Sequence, residues 1–175
     1  MRYTRLDQMP CSIARTLDVV GEWWTMLLVR DALRGVTRFD DFHQRLGIAR
    51  TVLKVRLDRL IENGIMEKRP YETRPPRSEY VLTDKGRALY PVVIALMQWG
   101  DDWAADEAGP PLELLHRTCG HVMTPRYVCD HCGDPLALGD VEPRPTPAGA
   151  PRPRGESTVV ESQRIAGRDG PHAAE

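Results

Sequence analysis

RFDDFHQRLGIARTVLKVRLDRLIENGIMEKRPY, residues 38–71, carries two runs of helical periodicity on either side of one glycine. The first run, Phe39 to Leu46, is stopped by Gly47. In the second, Ala49 to Asn63, apolar residues recur every three or four positions: Ile48, Val52, Leu53, Leu57, Leu60 and Ile61. Asn63-Gly64 closes it, because a helix commonly ends on a residue that accepts left-handed backbone. Thr37-Arg38-Phe39-Asp40 has the form of a capping box with Asp in the place of Glu, so Thr37 is expected to cap the first run. After Gly64 the pattern changes. IMEKRPYE (65–72) and SEYVLT (78–83) read as two strands joined by the turn-rich TRPPR (73–77).

Two short helices joined by a tight glycine turn and followed by a basic hairpin form the layout of a winged helix-turn-helix. The flanking sequence fits it. Ser12 to Val20 is amphipathic, with Ile13, Leu17 and Val20 at helical spacing and Gly21 at its end. Trp23 to Leu33 is a strongly apolar helix closed by Gly35. Thr83 is expected to cap one long final helix through about Asp106, with Leu89, Val92, Val93, Leu96, Trp99 and Trp103 along one face. The fold class is mainly α, in the α+β sense, with the main domain over residues 1–106.

Charge supports the same layout. The chain of 175 residues has a formal net charge of -1, which by itself points to no nucleic-acid partner. Between Arg45 and Arg77, however, nine Lys and Arg face four acids. A local basic stripe in a neutral protein is the footprint of a small nucleic-acid binder. The third helix would cross the DNA backbone and the fourth would enter the major groove. Leu53, Leu57 and Leu60 take the core side of the fourth helix, which leaves Thr51, Lys54, Val55 and Asp58 opposite, flanked by Arg50 and Arg56. Arg50 has the geometry to pair with guanine, Thr51 and Lys54 to meet bases or phosphates, and Val55 to meet a thymine methyl. Arg69, Arg74 and Arg77 belong to the hairpin and Arg38 precedes the third helix, all suited to phosphate or the minor groove.

CSIARTLDVVGEWWTMLLVRDAL (11–33), the stretch at 38–71 and PPRSEYVLTDKGRALYPVVIALMQWG (75–100) together resemble the HxlR-type regulators. These are bacterial winged-helix transcription factors related to the MarR group. The resemblance covers roughly residues 9 to 106. It implies a homodimer that binds double-stranded DNA, with dimer contacts from the N-terminal segment and the last helix. Trp23 stands where many members have Lys or Arg, so no phosphate contact is carried over to it. Cys11 matches a position where some members sense oxidants. Free Cys is more often a small buried hydrophobe, and PCSIAR offers no adjacent cation to lower its pKa.

The remaining cysteines lie beyond a linker expected over 107–115. His116-Arg-Thr-Cys119-Gly120 and Cys129-Asp-His-Cys132-Gly133 are matched half-sites, each with two ligands two residues apart and a following glycine. This is the spacing of a zinc knuckle, and one His with three Cys completes a closed tetrahedral structural site. His121 is the alternative fourth ligand, though Cys-x-His is tighter than knuckles use. His131 lies inside its turn and is expected to point away. VMTPRYV (122–128) is expected to form a small hairpin, with Val122, Tyr127 and Val128 beneath the ion. The module would span 116–140, and residues 141–175, rich in Pro, Gly and charge, read as a disordered tail.

No phosphate loop, nucleophile elbow or carboxylate pair points to an enzyme. MRYTRLDQMPCS lacks the apolar core of a signal peptide, so a cytoplasmic protein is expected. The leading expectation is a sequence-specific regulator, a repressor, acting as a homodimer on a pseudo-palindromic operator. The alternatives are a metal- or thiol-responsive sensor and a protein-interaction module on a winged-helix scaffold.

Overall fold

A computed structural model describes residues 6–74 and 76–145. Most of the tail expected over 141–175 therefore lies outside the described residues, as does Pro75 of the paired prolines. After a 3-10 turn at Leu6–Gln8 the chain forms α1 (Ser12–Val20), α2 (Trp23–Leu33), α3 (Phe39–Leu46) and α4 (Arg50–Glu62). The antiparallel strands β1 (Met66–Thr73) and β2 (Pro76–Leu82) follow, then α5 (Asp84–Arg87) and α6 (Tyr90–Trp103). Two two-residue strands, β3 (Leu115–His116) and β4 (His121–Val122), pair beyond them.

One core holds the helices and the wing together. Leu28 and Val29 of α2, Phe42 of α3, and Leu53, Leu57 and Leu60 of α4 are buried with Ile65, Met66, Tyr80 and Leu82 from the base of the hairpin. Each such side chain contributes about 1.5–3 kcal/mol when fully removed from water, so the apolar stripe read from α4 fixes that helix's rotation. Arg59 Nη2 adds a polar tie, donating to the Asp18 carbonyl of α1 at 2.6 Å.

The turn between α3 and α4 is set locally. Gly47 adopts φ 62° and its N–H closes α3 on the His43 carbonyl at 3.0 Å. His43 Nδ1 donates to the Ile48 carbonyl at 2.7 Å, so the imidazole bridges the turn from inside.

Two local expectations are corrected. Thr37 does not cap α3: the N-cap is Arg38, with no side-chain capping bond. The reason is a third, minimal strand. Tyr80 N–H donates to the Thr37 carbonyl at 2.7 Å and Arg38 bridges Glu79, which holds residues 37–38 extended against β2. Likewise, Thr83 caps only the four-residue α5, its Oγ1 accepting from Gly86 N–H at 3.1 Å. The long final helix is broken at Ala88–Leu89 and ends at Trp103. Pro91, in the first turn of α6, has no N–H to give the Arg87 carbonyl and its ring would collide there.

Candidate nucleic-acid interface

With its leucines inside, α4 turns Thr51, Lys54 and Val55 to solvent. Arg50 opens the helix and is positioned by α3. Its Nη2 lies 2.8 Å from Asp40 Oδ1, and its guanidinium stands 5.0 Å from the centre of the Phe39 ring. Both partners belong to the first turn of α3, a juxtaposition that helical periodicity does not encode. An exposed ion pair of this kind is worth about 0–1 kcal/mol, so a phosphate or guanine edge competes readily for the guanidinium. Lys54 Nζ lies 2.7 Å from Asp58 Oδ2, and this hydrogen bond holds its ammonium above the usual lysine pKa.

The hairpin forms the wing beside this helix. Arg69 pairs with Glu67, and Arg77 Nε lies 3.3 Å from Glu72 Oε2. Arg74 is exposed just past the end of β1. Arg38 is exposed beside β2, bridging Glu79, with its guanidinium 5.2 Å from the Tyr71 ring centre. Strand pairing is irregular between Pro70 and Glu72, where proline cannot supply a ladder N–H.

Arg56 is placed differently from the others. Its side chain is only 20% exposed and Nη2 lies 2.8 Å from Glu22 Oε2, at the N-cap of α2. Its Nε is buried with no hydrogen-bond partner among the described residues. The structure thus sets Arg56 in the seam between α2 and α4, away from Thr51, Lys54 and Val55.

A second surface is apolar. α6 contains no buried residue, although its sequence is among the most apolar in the chain. Leu89 and Val93 pack against the core, whereas Val92, Leu96, Trp99 and Trp103 are exposed. Ile13 and Leu17 of α1 and Trp23 at the start of α2 are exposed as well.

Beyond α6 the cysteine region forms two hairpins. His116 Nδ1 lies 3.2 Å from Cys119 Sγ in the first. In the second, the Cys129 thiol is drawn below its ordinary pKa, chiefly by the Cys132 backbone amide. All four cysteines are free thiols, and Cys11 is half-buried at the N-cap of α1. Among the described residues no three His, Cys, Asp or Glu side chains gather as a metal-holding group. VMTPRYV does not form a hairpin of its own. Instead β3 pairs with β4 around the first half-site and Val128 bridges Pro135 around the second. Val122, Tyr127 and Val128 are each at least half exposed, so they form no core beneath an ion.

Residues 19–108 match the HxlR-like helix-turn-helix family. The chain belongs to that family. It is a DNA-binding transcriptional regulator of winged helix-turn-helix fold and not an enzyme. An uncharacterized HTH-type transcriptional regulator of Mycobacterium tuberculosis, Rv3095, is 44% identical over 136 residues, spanning 78% of this chain and 86% of that protein. The crystal structure of PA1607, a putative transcription factor, superposes with a TM-score of 0.73 at 40% identity, covering 81% of this chain and 99% of that one. The redox regulator HypR in its reduced form matches 53% of this chain and 92% of its own at 33% identity and a TM-score of 0.50. The PA1607 match is longer than everything up to Trp103, so the likeness extends beyond the HxlR domain into the segment that holds the two hairpins. No helix among the described residues is long and apolar enough to cross a membrane.

Proposed function

We propose that this HxlR-family regulator acts in the cytoplasm as a homodimeric repressor on a pseudo-palindromic operator. The observation that carries the reading is the division of the surface. Arg50, Thr51, Lys54 and Val55 on α4, with Arg38, Arg69, Arg74 and Arg77 around the wing, are exposed and cationic or base-compatible. α6 and α1 each leave large apolar side chains exposed elsewhere. A second copy is the occupant that fits the α6 face, because a two-fold dimer buries like against like and repeats the DNA-reading helix. Two such helices then meet half-sites about one helical turn apart, some 10 bp. The dimer covers Val92, Leu96, Trp99 and Trp103, which a monomer would leave as an apolar patch.

On this reading, α4 supplies base contacts and the wing arginines supply phosphate contacts that fix register. Repression follows from occupancy: a bound dimer overlapping a promoter excludes polymerase. The test is a mobility-shift titration of an operator fragment with wild type and the Arg50→Ala/Lys54→Ala variant, alongside a promoter-reporter assay. Weakened binding by the variant and derepression of the reporter are expected. Unchanged operator affinity would overturn the α4 assignment, and reduced expression on deletion of the protein would overturn repression.

A further inference from the structure

The two hairpins after α6 have the same construction. In the first, Gly120 N–H donates back to the His116 carbonyl at 2.8 Å; in the second, Gly133 N–H donates back to the Cys129 carbonyl at 2.9 Å. Both glycines are left-handed, with φ 72° and 78°. A Cβ at either would meet nothing within 4 Å, so backbone conformation, not crowding, calls for glycine there. Each turn therefore carries its two candidate ligands on one small loop, flanked by short paired segments.

Side-chain geometry agrees within the first half-site, while no three candidate ligands gather among the described residues. His116 Nδ1 already lies 3.2 Å from Cys119 Sγ, close to the roughly 3.6 Å edge that follows from Zn–N of about 2.0–2.1 Å and Zn–S of about 2.3 Å in a tetrahedron. From residue 104 to 145 no described residue is buried, and Leu115, Val122, Tyr127 and Val128 are at least half exposed. Such a segment lacks the apolar burial that would offset its ordering entropy, and needs a staple.

We propose that one Zn²⁺ ion joins the hairpins, held by His116 Nδ1 and the sulfurs of Cys119, Cys129 and Cys132. Three thiols release their protons to solvent on binding, and neutral His116 is the fourth ligand. Three soft sulfurs and one nitrogen in a closed set select zinc as a structural ion. His116 is assigned in preference to His121 because it shares a loop, and a contact, with Cys119. His116 and Cys119 are already in contact, and binding requires the second half-site to close on the same ion. The stapled ribbon is then seated on α6. Gln98 Nε2 donates to the Pro125 carbonyl at 3.3 Å, and Tyr90, Ile94, Leu115, Met123 and Tyr127 line a cleft of about 380 Å³ between helix and ribbon.

The test is metal content of the purified full-length chain by mass spectrometry, before and after incubation with zinc chloride. About one zinc per chain is expected, falling to near zero in Cys129→Ser/Cys132→Ser. Cobalt(II) substitution of the wild type gives a second readout that needs no variant: a tetrahedral spectrum with sulfur charge-transfer intensity of three thiolates. His116→Ala should lose zinc and His121→Ala should retain it. A wild type that takes up no zinc, a double variant that keeps it, or an octahedral cobalt spectrum would overturn the site. Loss of zinc in His121→Ala alone would overturn the His116 assignment. DNA binding is not part of this readout, so the ribbon and operator readings fail independently.

Discussion

Arg56 of α4 is tied to Glu22 at the N-cap of α2, Nη2 to Oε2 at 2.8 Å. Arg50, at the start of the same helix, instead reaches Asp40 in solvent. Two arginines on one recognition helix thus serve different ends. Removing Arg56 leaves Glu22 without its cation and strips a part-buried side chain from the α2–α4 seam, where a partly exposed ion pair is worth up to about 1 kcal/mol. Arg56→Ala should lower stability by at least roughly that amount in urea unfolding, whereas Arg50→Ala should leave the midpoint almost unchanged. Equal effects of the two on stability would contradict the division.

DNA affinity should separate helix from wing. Removing a base-reading side chain costs about 1–3 kcal/mol, so Arg50→Ala or Lys54→Ala should weaken operator binding markedly and unrelated DNA much less. Arg69→Ala, Arg74→Ala and Arg77→Ala should weaken both. For each phosphate that is no longer neutralised, the plot of log affinity against log salt should also flatten by about 0.9. Titrations at several salt concentrations check this, and a wing variant with an unaltered slope makes no phosphate contact.

The α6 face gives a third expectation. Leu96 and Trp99 are exposed in the single chain, so Leu96→Glu and Trp99→Glu should leave it folded. Sedimentation should show monomers where the wild type sediments as a dimer, with a far-ultraviolet spectrum unchanged. A dimer that persists in both variants places the two-fold contact elsewhere.

What is legible in the sequence follows from the range of the signals. The first four helices and both wing strands are governed by local periodicity, glycines and apolar spacing, and they stand close to where those signals put them, except that strand pairing runs on through Thr73 and Pro76 into the expected TRPPR turn. Tertiary pairing decides the rest. Thr37 looks like a cap in sequence, but its carbonyl is claimed by Tyr80, far along the chain in the second wing strand. Arg56 reads as basic and near the DNA face, and only Glu22's position across the seam places it otherwise. Asp40 and Phe39 are not recognisable in sequence as Arg50's supports, because nothing in spacing brings two successive helices' first turns together. The break before α6 is legible in principle, since Pro91 stands in the sequence; the continuous apolar stripe on either side masks it.

Two glycines should respond differently to alanine. Gly47 needs left-handed backbone at φ 62° but has open space around it, so Gly47→Ala should cost about 1–2 kcal/mol. Gly21 has an ordinary φ of -74°, yet a Cβ there would stand 2.4 Å from the Leu17 carbonyl oxygen. Gly21→Ala must shift the α1–α2 corner and should lower the thermal midpoint at least as much as Gly47→Ala. A neutral Gly21→Ala would contradict the close approach.

Genome-wide mapping of the protein's DNA sites tests the central claim most directly, using wild type and Arg50→Ala/Lys54→Ala side by side. Discrete sites sharing an inverted repeat, with half-sites about one helical turn apart and abolished in the variant, are the predicted result. Enrichment that lacks an inverted repeat, or that survives the double substitution, would contradict a homodimer reading its operator through α4.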